Sequence, residues 1–330
     1  MIHTPVPPNT VDKALIIKAK GGLGNRMLSA ATGILLARLN GRAAYIDWRD
    51  GMYVAPGENL YPLLFDAEGR ENLEQFDSSE EVAPSIWSKR MAMHPTDIIH
   101  EQFPRQHQDP FLYRKLSIDL RRADPPEAVA VYWSYLPKIK RLERRLSQSP
   151  EFAGQGSAEL MSDILDQYFR PVREVQKQVD TIFANMKSPV IGVHIRFTDR
   201  KAPLPKIVSE LTRLKQAQPE AKIFLATDSM EAQNAVLARF PDTRTIEKAL
   251  AGDGAALHVA SGVFSDPVAE ARNALIDMVA LSRCDWLLHS RHSTFSVTAA
   301  LLGRIPEARQ VDVDRYNLKL AVKQFIQARA

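Results

Sequence analysis

Val190-Ile-Gly-Val-His-Ile-Arg196 is the stretch that decides the fold of this 330-residue chain. Its short apolar run is typical of a strand buried in a parallel sheet. His194 and Arg196 come at the carboxyl end of this strand, and Asp199 follows shortly after. Open α/β sheets bind ligands at that end of their strands, and the planar arginine fork suits phosphate, so we expect a phosphate-bearing ligand here.

Arg196 and His194 also have purely structural interpretations. An arginine that follows a buried strand is costly to desolvate unless an anion meets it. That anion is either a ligand or a carboxylate of the chain, such as Asp199. His194 is either part of the ligand site or a core histidine with its hydrogen bonds satisfied, and its neighbour Arg196 favours the ligand site.

Strand and helix signals alternate along the rest of the carboxyl-terminal half. Helix caps and proline at the first helical position mark the helix starts. The pattern predicts one or two helices over Leu160 to Met186, a helix around Lys206 to Lys215, a strand over Lys222 to Ala226, a helix from the cap Asp228 or Ser229 to Arg239, a helix from Asp266-Pro267 to about Arg283, a strand over Asp285 to His289, a helix from Ser293 to Gly303, a strand over Gln310 to Val313 and a closing helix over Leu318 to Gln327.

The amino-terminal region begins with a βαβ unit. The apolar run Ala14 to Ala19 predicts a strand, Gly21-Gly-Leu-Gly24 a turn, Asn25 to Leu39 a helix and Ala43 to Ile46 a parallel strand. The free amides at a helix start favour an anion. The spacing fits neither a Walker loop nor a dinucleotide fingerprint, which would place glycine at Met27. A phosphate contact and a plain tight turn therefore both remain open.

The stretch from Asp50 to about Ser149 has many prolines, scattered aromatic residues and weak periodicity. Irregular segments of this kind often cover a scaffold and carry substrate specificity, although a loop-rich subdomain is the simpler interpretation. A chain of this length exceeds what one core usually supports. We therefore expect two domains, residues 1–186 and 187–330, with a single large α/β domain as the alternative.

Two further polar groups lie in positions that suit a ligand. Asp277 interrupts the apolar helix Ala274 to Leu281 and is expected to be buried, where a carboxylate needs partners. Guanine would supply two parallel N–H donors, and an adjacent helix or an arginine is the alternative partner. Ser293 and Thr294 begin a helix directly after a strand, which predicts a second phosphate cradle or an ordinary serine cap.

Composition limits the class of partner. The net charge of +4 is small and scattered, which argues against a nucleic-acid binder. The only cysteine, Cys284, excludes an internal disulfide and fits a reducing compartment. The sequence contains no signal peptide and no apolar stretch long enough to span a membrane. It also lacks metal-ligand spacing, because Asp312 and Asp314 fit the end of a strand better than a cation site. We expect a cytoplasmic protein without a metal cofactor, in peripheral contact with the membrane if its acceptor is lipid-linked.

In combination these motifs resemble those of the GDP-fucose-dependent fucosyltransferase superfamily. Gly21-Gly-Leu-Gly-Asn-Arg-Met27 resembles the Gly-Gly-x-Gly-Asn-Gln-Met motif of α1,2-fucosyltransferases, whereas Gly41-Arg42 and Ile46-Asp-Trp-Arg49 are more similar to the nodulation enzymes. His194 to Asp199 resembles the His-x-Arg-Arg-x-Asp motif, with Phe197 in place of the second arginine. The remaining donor-site motifs follow in the same order at Leu225 to Asp228, Leu275 to Asp277 and Ser290 to Ser296.

The resemblance implies a GT-B fold, in which two Rossmann-like domains face each other across a cleft and the second domain holds GDP. It assigns catalytic roles to Arg196 and Asn25. It assigns donor contacts to the following residues: Gly22, Gly24, His194, Asp199, Asp228, Asp277, Ser293 and Thr294. It further implies that Arg196 replaces the divalent cation that other transferases use. Leu204 stands near the place where core α1,6 enzymes carry a glutamate implicated in acceptor deprotonation, so the base is unassigned.

These observations together predict an inverting glycosyltransferase that moves L-fucose from GDP-β-L-fucose to a hydroxyl of an oligosaccharide or glycolipid acceptor. Three alternatives stay open. The first is a glycosyltransferase that uses another nucleotide sugar, because the guanine assignment rests mainly on Asp277. The others are a dinucleotide-dependent oxidoreductase built on Gly21 to Gly24, and a noncatalytic glycan-binding protein on a degenerate transferase fold.

Overall fold

A computed structural model describes residues 13–66, 72–107, 109, 111–184, 186–187, 189–197, 202–248, 250, 266–315 and 322. Within these residues the chain forms two four-stranded sheets in which all neighbouring strands are parallel. None of the described helices is long and apolar enough to cross a membrane. The predicted α/β class and the predicted pair of Rossmann-like lobes are confirmed.

The first sheet belongs to the amino-terminal lobe. Its strands are β1 (Ala14–Lys18), β2 (Ala43–Asp47), β3 (Val82–Ala83) and β4 (Val129–Trp133), in the spatial order β2-β1-β4-β3. Helix α1 (Leu23–Leu39) connects β1 to β2, as the sequence predicts. Sequence reasoning left β4 unassigned, yet this strand lies beside β1 in the sheet, with Val131 opposite Ile16.

The second sheet belongs to the carboxyl-terminal lobe. Its strands are β5 (Val190–Ile195), β6 (Lys222–Thr227), β7 (Trp286–His289) and β8 (Gln310–Asp312), in the order β6-β5-β7-β8. The four predicted strands of this half are therefore all present. His194 lies opposite Ala226 near the carboxyl end of β5, and Arg196 follows directly after the strand.

The described residues contain nine further α-helices, and several of them begin at the predicted caps. Ser229 and Asp266 each accept a backbone N–H at the start of their helix. The predicted closing helix over Leu318 to Gln327 lies outside the described residues. The helices are α2 (Tyr61–Leu64), α3 (Pro95–Gln102), α4 (Glu143–Gln148), α5 (Ser157–Tyr168), α6 (Arg173–Phe183), α7 (Leu204–Ala217), α8 (Met230–Arg239), α9 (Pro267–Ser282) and α10 (Thr294–Leu302).

The two lobes are joined through packed helices. Helix α1 packs against α10, and α5 packs against both of them. Buried residues of both lobes, such as Leu15 of β1 and Leu287 of β7, belong to one continuous apolar core. Helices α5 and α6 precede residue 186 but pack against α10 and α9 of the carboxyl-terminal lobe. The expected division of the chain into domains 1–186 and 187–330 stays a prediction.

Candidate active site

A cavity of about 160 Å³ opens between the two lobes, at the carboxyl ends of β1, β5 and β6 and at the starts of α1 and α10. Nine of the ten residues predicted for the site line it. Asp199 lies outside the described residues. The nine lining residues are Gly22, Gly24, Asn25, His194, Arg196, Asp228, Asp277, Ser293 and Thr294.

The starts of α1 and α10 meet across this cavity. Thr294 Oγ1 donates a hydrogen bond of 2.7 Å to Asn25 Oδ1. A Cβ atom on Gly24 would lie 2.5 Å from the backbone nitrogen of Phe295, so only glycine allows the two helix starts to come this close. The first amides of a helix have no partner within the helix and carry partial positive charge. The cavity is therefore suited to an anion held by both lobes.

Ser293 lies at the start of α10 without acting as a side-chain cap. It occupies the N-cap position, yet its hydroxyl makes no cap hydrogen bond. The side chain is buried, and Ser293 Oγ has no hydrogen-bond partner within the described part of the chain. Since a buried hydroxyl normally finds a partner, this oxygen is available to a ligand in the cavity.

His194 is held flat against Phe295. The two rings are stacked, with centroids 5.0 Å apart and an interplanar angle of 21°. Burial, together with smaller effects of His289, Arg196 and Lys248, lowers the pKa of His194 to about 3. His194 is therefore a neutral imidazole at physiological pH, with one ring nitrogen that donates and one that accepts.

Asp277 is buried on α9 and forms an ion pair with Lys248 through Oδ2. Burial raises the pKa of Asp277, and Lys248 acts in the opposite direction. The second carboxylate oxygen, Oδ1, is buried and has no partner among the described residues. The internal partner is thus a lysine rather than the arginine or helix considered from sequence, and it leaves one acceptor toward the cavity. Sequence reasoning missed Lys248, which belongs to no helix or strand and to no recognisable motif.

Asp228 and Arg196 lie on the same side of the cavity. Asp228 Oδ1 accepts the backbone N–H of Phe197 at 2.7 Å, which fixes the chain where β5 ends. Arg196 is half-buried, and it lines the cavity together with Tyr53 of the other lobe. Burial raises the pKa of Tyr53, opposed by Arg26 and, more weakly, by Arg196. A guanidinium group and a neutral phenol thus line the same cavity from the two lobes.

The carboxyl-terminal acidic pair has a structural position. Asp312 Oδ1 accepts the backbone N–H groups of Arg291 at 3.2 Å and Asp314 at 3.0 Å, which matches the expected end of a strand. Within the described ranges, no group of three His, Cys, Asp or Glu side chains could hold a metal ion.

The two-lobed fold matches solved structures of transferases. NodZ α-1,6-fucosyltransferase soaked with GDP-fucose superposes with a TM-score of 0.61 at 21% identity, covering 88% of this chain and 92% of the other. Fucosyltransferase NodZ from Bradyrhizobium gives 0.60 at 22% identity, covering 88% and 93%. This likeness shows a fold of the GT-B type, in which two Rossmann-like lobes border a cleft.

The chain belongs to the nodulation protein Z (NodZ) family, whose family model matches residues 157–324. Nodulation protein Z of Azorhizobium caulinodans is 26% identical to this chain over 325 residues, covering 88% of this chain and 89% of the relative. Nodulation protein Z of Bradyrhizobium diazoefficiens is 24% identical over 317 residues, covering 84% and 75%. The family suggested by the sequence motifs is therefore confirmed.

Proposed function

We propose that this chain transfers L-fucose from GDP-β-L-fucose to a hydroxyl of a glycan acceptor, with inversion at the fucosyl carbon and without a metal ion. The observation that carries the proposal is that Arg196, the free Ser293 hydroxyl and the start of α10 surround one cavity. Membership of the NodZ family supports fucose as the sugar, since a relative's structure was obtained with GDP-fucose.

The diphosphate would lie among these groups. Arg196 would form charge-assisted hydrogen bonds to the β-phosphate, and Ser293 Oγ would donate another. The Gly22 to Asn25 loop would approach the same phosphate from the amino-terminal lobe, with Asn25 held by Thr294. Donors that are fixed before the reaction stabilise the charge that develops on the leaving group, which is the work that a cation performs elsewhere.

The guanine base would face His194 and Asp277. A carboxylate can accept both the N1–H and N2–H groups of guanine, whereas uracil and cytosine do not offer this pair of donors. Asp277 Oδ1 is available to one of these donors, and Oδ2, which already accepts from Lys248, has a second lone pair for the other. The neutral ring of His194, fixed by Phe295, would supply a further contact. Asp228 would contribute mainly by fixing the loop after β5, and Asp199 is expected to contact the donor as well.

At the fucosyl carbon, the reaction forms one bond and breaks one bond. The acceptor oxygen attacks fucose C1 from the side opposite to the nucleotide, and the bond from C1 to the β-phosphate oxygen breaks. Its electron pair leaves with GDP, whose charge Arg196 would stabilise. The acceptor hydroxyl proton passes to a base to which no residue is assigned.

The proposal is tested by Arg196→Ala, with Arg213→Ala as the matched control. Arg213 is an exposed arginine of α7 that pairs with Glu210 and lies away from the cavity. With an unchanged unfolding temperature, Arg196→Ala should lower kcat for fucosyl transfer or donor hydrolysis by on the order of 10²-fold or more, because a charge-stabilising donor is lost. Near-normal turnover of Arg196→Ala would show that Arg196 does not stabilise the leaving GDP.

The nucleotide is tested by calorimetry with GDP, UDP and CMP. We expect the wild-type chain to bind GDP more tightly than UDP or CMP. Asp277→Asn should reduce this preference, because the asparagine amide has only one acceptor oxygen for the two N–H donors of guanine. Equal affinity for the three nucleotides would favour a transferase that uses another nucleotide sugar.

A further inference from the structure

A second cavity of about 660 Å³ lies in the amino-terminal lobe, beyond the carboxyl ends of β1 and β4. It is lined by Lys20, which follows β1, by His107, and by residues within 113–121 and 132–141, a region to which the sequence assigned no helix or strand. Its volume falls in the range of small-molecule sites, about 300–1,000 Å³. No role in the proposed donor site requires this space.

Five basic side chains contribute to the wall of this second cavity. Lys20, Arg114, Arg121, Lys138 and Arg141 line it, against the carboxylate of Asp119. Asp119 is already bonded to Arg121 at 3.3 Å. Burial, together with the positive charges of Arg141 and Arg114, lowers the pKa of Lys138 to about 8. Like charges are thus crowded around a space that a ligand can enter.

Aromatic rings lie beside these charges. Tyr113 and Trp133 are stacked, with centroids 5.0 Å apart and an interplanar angle of 29°. Lys20 Nζ lies 4.8 Å from the centroid of the Tyr113 ring. Aromatic faces offer apolar area next to a polar edge, which suits the C–H faces and hydroxyls of sugar rings. Cations and aromatic faces together indicate a ligand that is both sugar-like and acidic.

The second cavity adjoins the donor cavity through one turn. Lys20 lines the second cavity, Gly22 lines the donor cavity, and Tyr135 lines both. Gly21 lies under the Tyr135 ring, because a Cβ atom on Gly21 would lie 2.7 Å from Tyr135 Cε2. A ligand seated in the second cavity therefore reaches the donor cavity along this turn and the exposed ring of Tyr135.

We infer that the second cavity binds the acceptor, and that this acceptor is an oligosaccharide carrying an acidic group: a carboxylate, a phosphate or a sulfate. The inference rests on the proposed function for its link to transfer, but the binding of an acidic saccharide stands on the second cavity alone. An uncharged glycan would offer these cations hydroxyl acceptors but no compensating negative charge. An anion makes charge-assisted hydrogen bonds with them instead.

Binding is measured with matched pairs of oligosaccharides in the absence of nucleotide. The pairs are an oligogalacturonate and its carboxyl-reduced form, a phosphorylated oligomannose and its dephosphorylated form, and a sulfated oligosaccharide and its desulfated form. We expect the acidic member of at least one pair to bind about tenfold more tightly than its neutral partner, the effect of one charged hydrogen bond. The pair that responds identifies the acidic group.

The variants Lys138→Gln and Lys140→Gln make the test specific. Lys140 is two residues away and exposed, and it does not line the second cavity. We expect Lys138→Gln to weaken binding of the acidic member about tenfold and Lys140→Gln to leave it unchanged. If Lys138→Gln unfolds at a lower temperature, Arg141→Gln takes its place.

The inference is overturned if no acidic member binds, if acidic and neutral members bind equally, or if both lysine variants behave alike. Wild-type binding of GDP without any saccharide tests the proposed function separately. A chain that binds GDP but does not prefer acidic saccharides would keep the proposed function and lose this inference. A chain that prefers acidic saccharides but does not bind GDP would keep this inference and lose the proposed function.

Discussion

Thr294 Oγ1 donates a 2.7 Å hydrogen bond to Asn25 Oδ1, joining two residues that are 269 positions apart in the chain. Each side chain lies in the first turn of its helix, α10 and α1, and both line the cavity between the lobes. A single hydrogen bond thus fixes the orientation of an amide from one lobe by a hydroxyl from the other. The position of Asn25 depends on the carboxyl-terminal lobe being folded and correctly packed.

Removing this hydroxyl in Thr294→Val should loosen the contact between the lobes. We expect the free energy of unfolding to fall by about 1 kcal/mol, the net value of one hydrogen bond. The KM for GDP-fucose should rise several-fold, because Asn25 is no longer held in one orientation. Urea unfolding and steady-state kinetics measure the two effects. The control is Thr212→Val, whose hydroxyl bonds to the Val208 carbonyl within α7 at 2.8 Å. An equal change in KM in the two variants would contradict this explanation.

Adding one methyl group at Gly24 should force the helix starts apart. A Cβ atom there would lie 2.5 Å from the Phe295 nitrogen and 2.6 Å from the Thr294 carbonyl carbon, which are backbone atoms that cannot rotate away. We expect Gly24→Ala to destabilise the chain by about 1–3 kcal/mol, as overpacking does.

Gly22→Ala is the matched control for Gly24→Ala. A Cβ atom on Gly22 would meet nothing within 4 Å, and its backbone is extended. Its free energy of unfolding should change by no more than about 0.5 kcal/mol. Thermal and urea unfolding of the two variants give the comparison. The argument fails if Gly24→Ala is as stable as Gly22→Ala.

Removing the cation of the buried ion pair in Lys248→Met should destabilise the chain in a pH-dependent way. Asp277 would remain as a buried carboxylate without its counter-ion, which costs about 3–5 kcal/mol in comparable cases. Its pKa, already raised by burial, would rise further once Lys248 no longer opposes the effect. A folded-state pKa above the unfolded value of about 3.9 means that stability falls as pH rises from that value to the folded pKa.

The double variant Lys248→Met/Asp277→Asn tests whether the unpaired carboxylate causes this loss of stability. With no charge left to bury, it should recover much of the stability that Lys248→Met loses at neutral pH, and its unfolding should lack the pH dependence of the single variant. Urea unfolding between pH 4 and pH 8 measures both. A single variant as stable as the wild type across this range would show that the ion pair contributes nothing.

Two histidines whose pKa values are lowered in the folded chain should make it less stable in acid. The pKa of His194 is lowered to about 3 and that of His289 to about 4, in both cases mainly by burial. The unfolded chain takes up a proton near pH 6.5, whereas the folded chain does not. The free energy of unfolding should therefore fall as pH decreases from about 6.5 toward 4, by about 1.4 kcal/mol per pH unit for each histidine.

Nuclear magnetic resonance of the His194 ring checks this directly. The imidazole should stay neutral from pH 8 down to at least pH 5, and GDP affinity should show no step from His194 in that range. His100→Gln, at an exposed position of α3, serves as the control for assignment and stability. A His194 titration midpoint near 6.5 would contradict the prediction.

The secondary structure of the carboxyl-terminal lobe could be predicted from sequence because its signals are local. β5, α8 and α9 follow from an apolar run, a serine cap and an aspartate cap followed by proline. β4 was not recognised from the sequence. Its run Val129–Trp133 has the strand composition, which is the signal that could have found it, but it stands alone in a region without periodicity. Its pairing with β1 is what makes it a central strand.

The sequence by itself determined the alternation of strand and helix, the motifs at the strand ends and the family to which the chain belongs, since each depends on residues that are close together in the chain. Only the tertiary structure decided that Lys248 pairs with Asp277, that Gly24 lies against Phe295 and that a basic second cavity adjoins the first. The physical reason is that these contacts depend on how the helices and loops of two lobes pack, which no local pattern encodes.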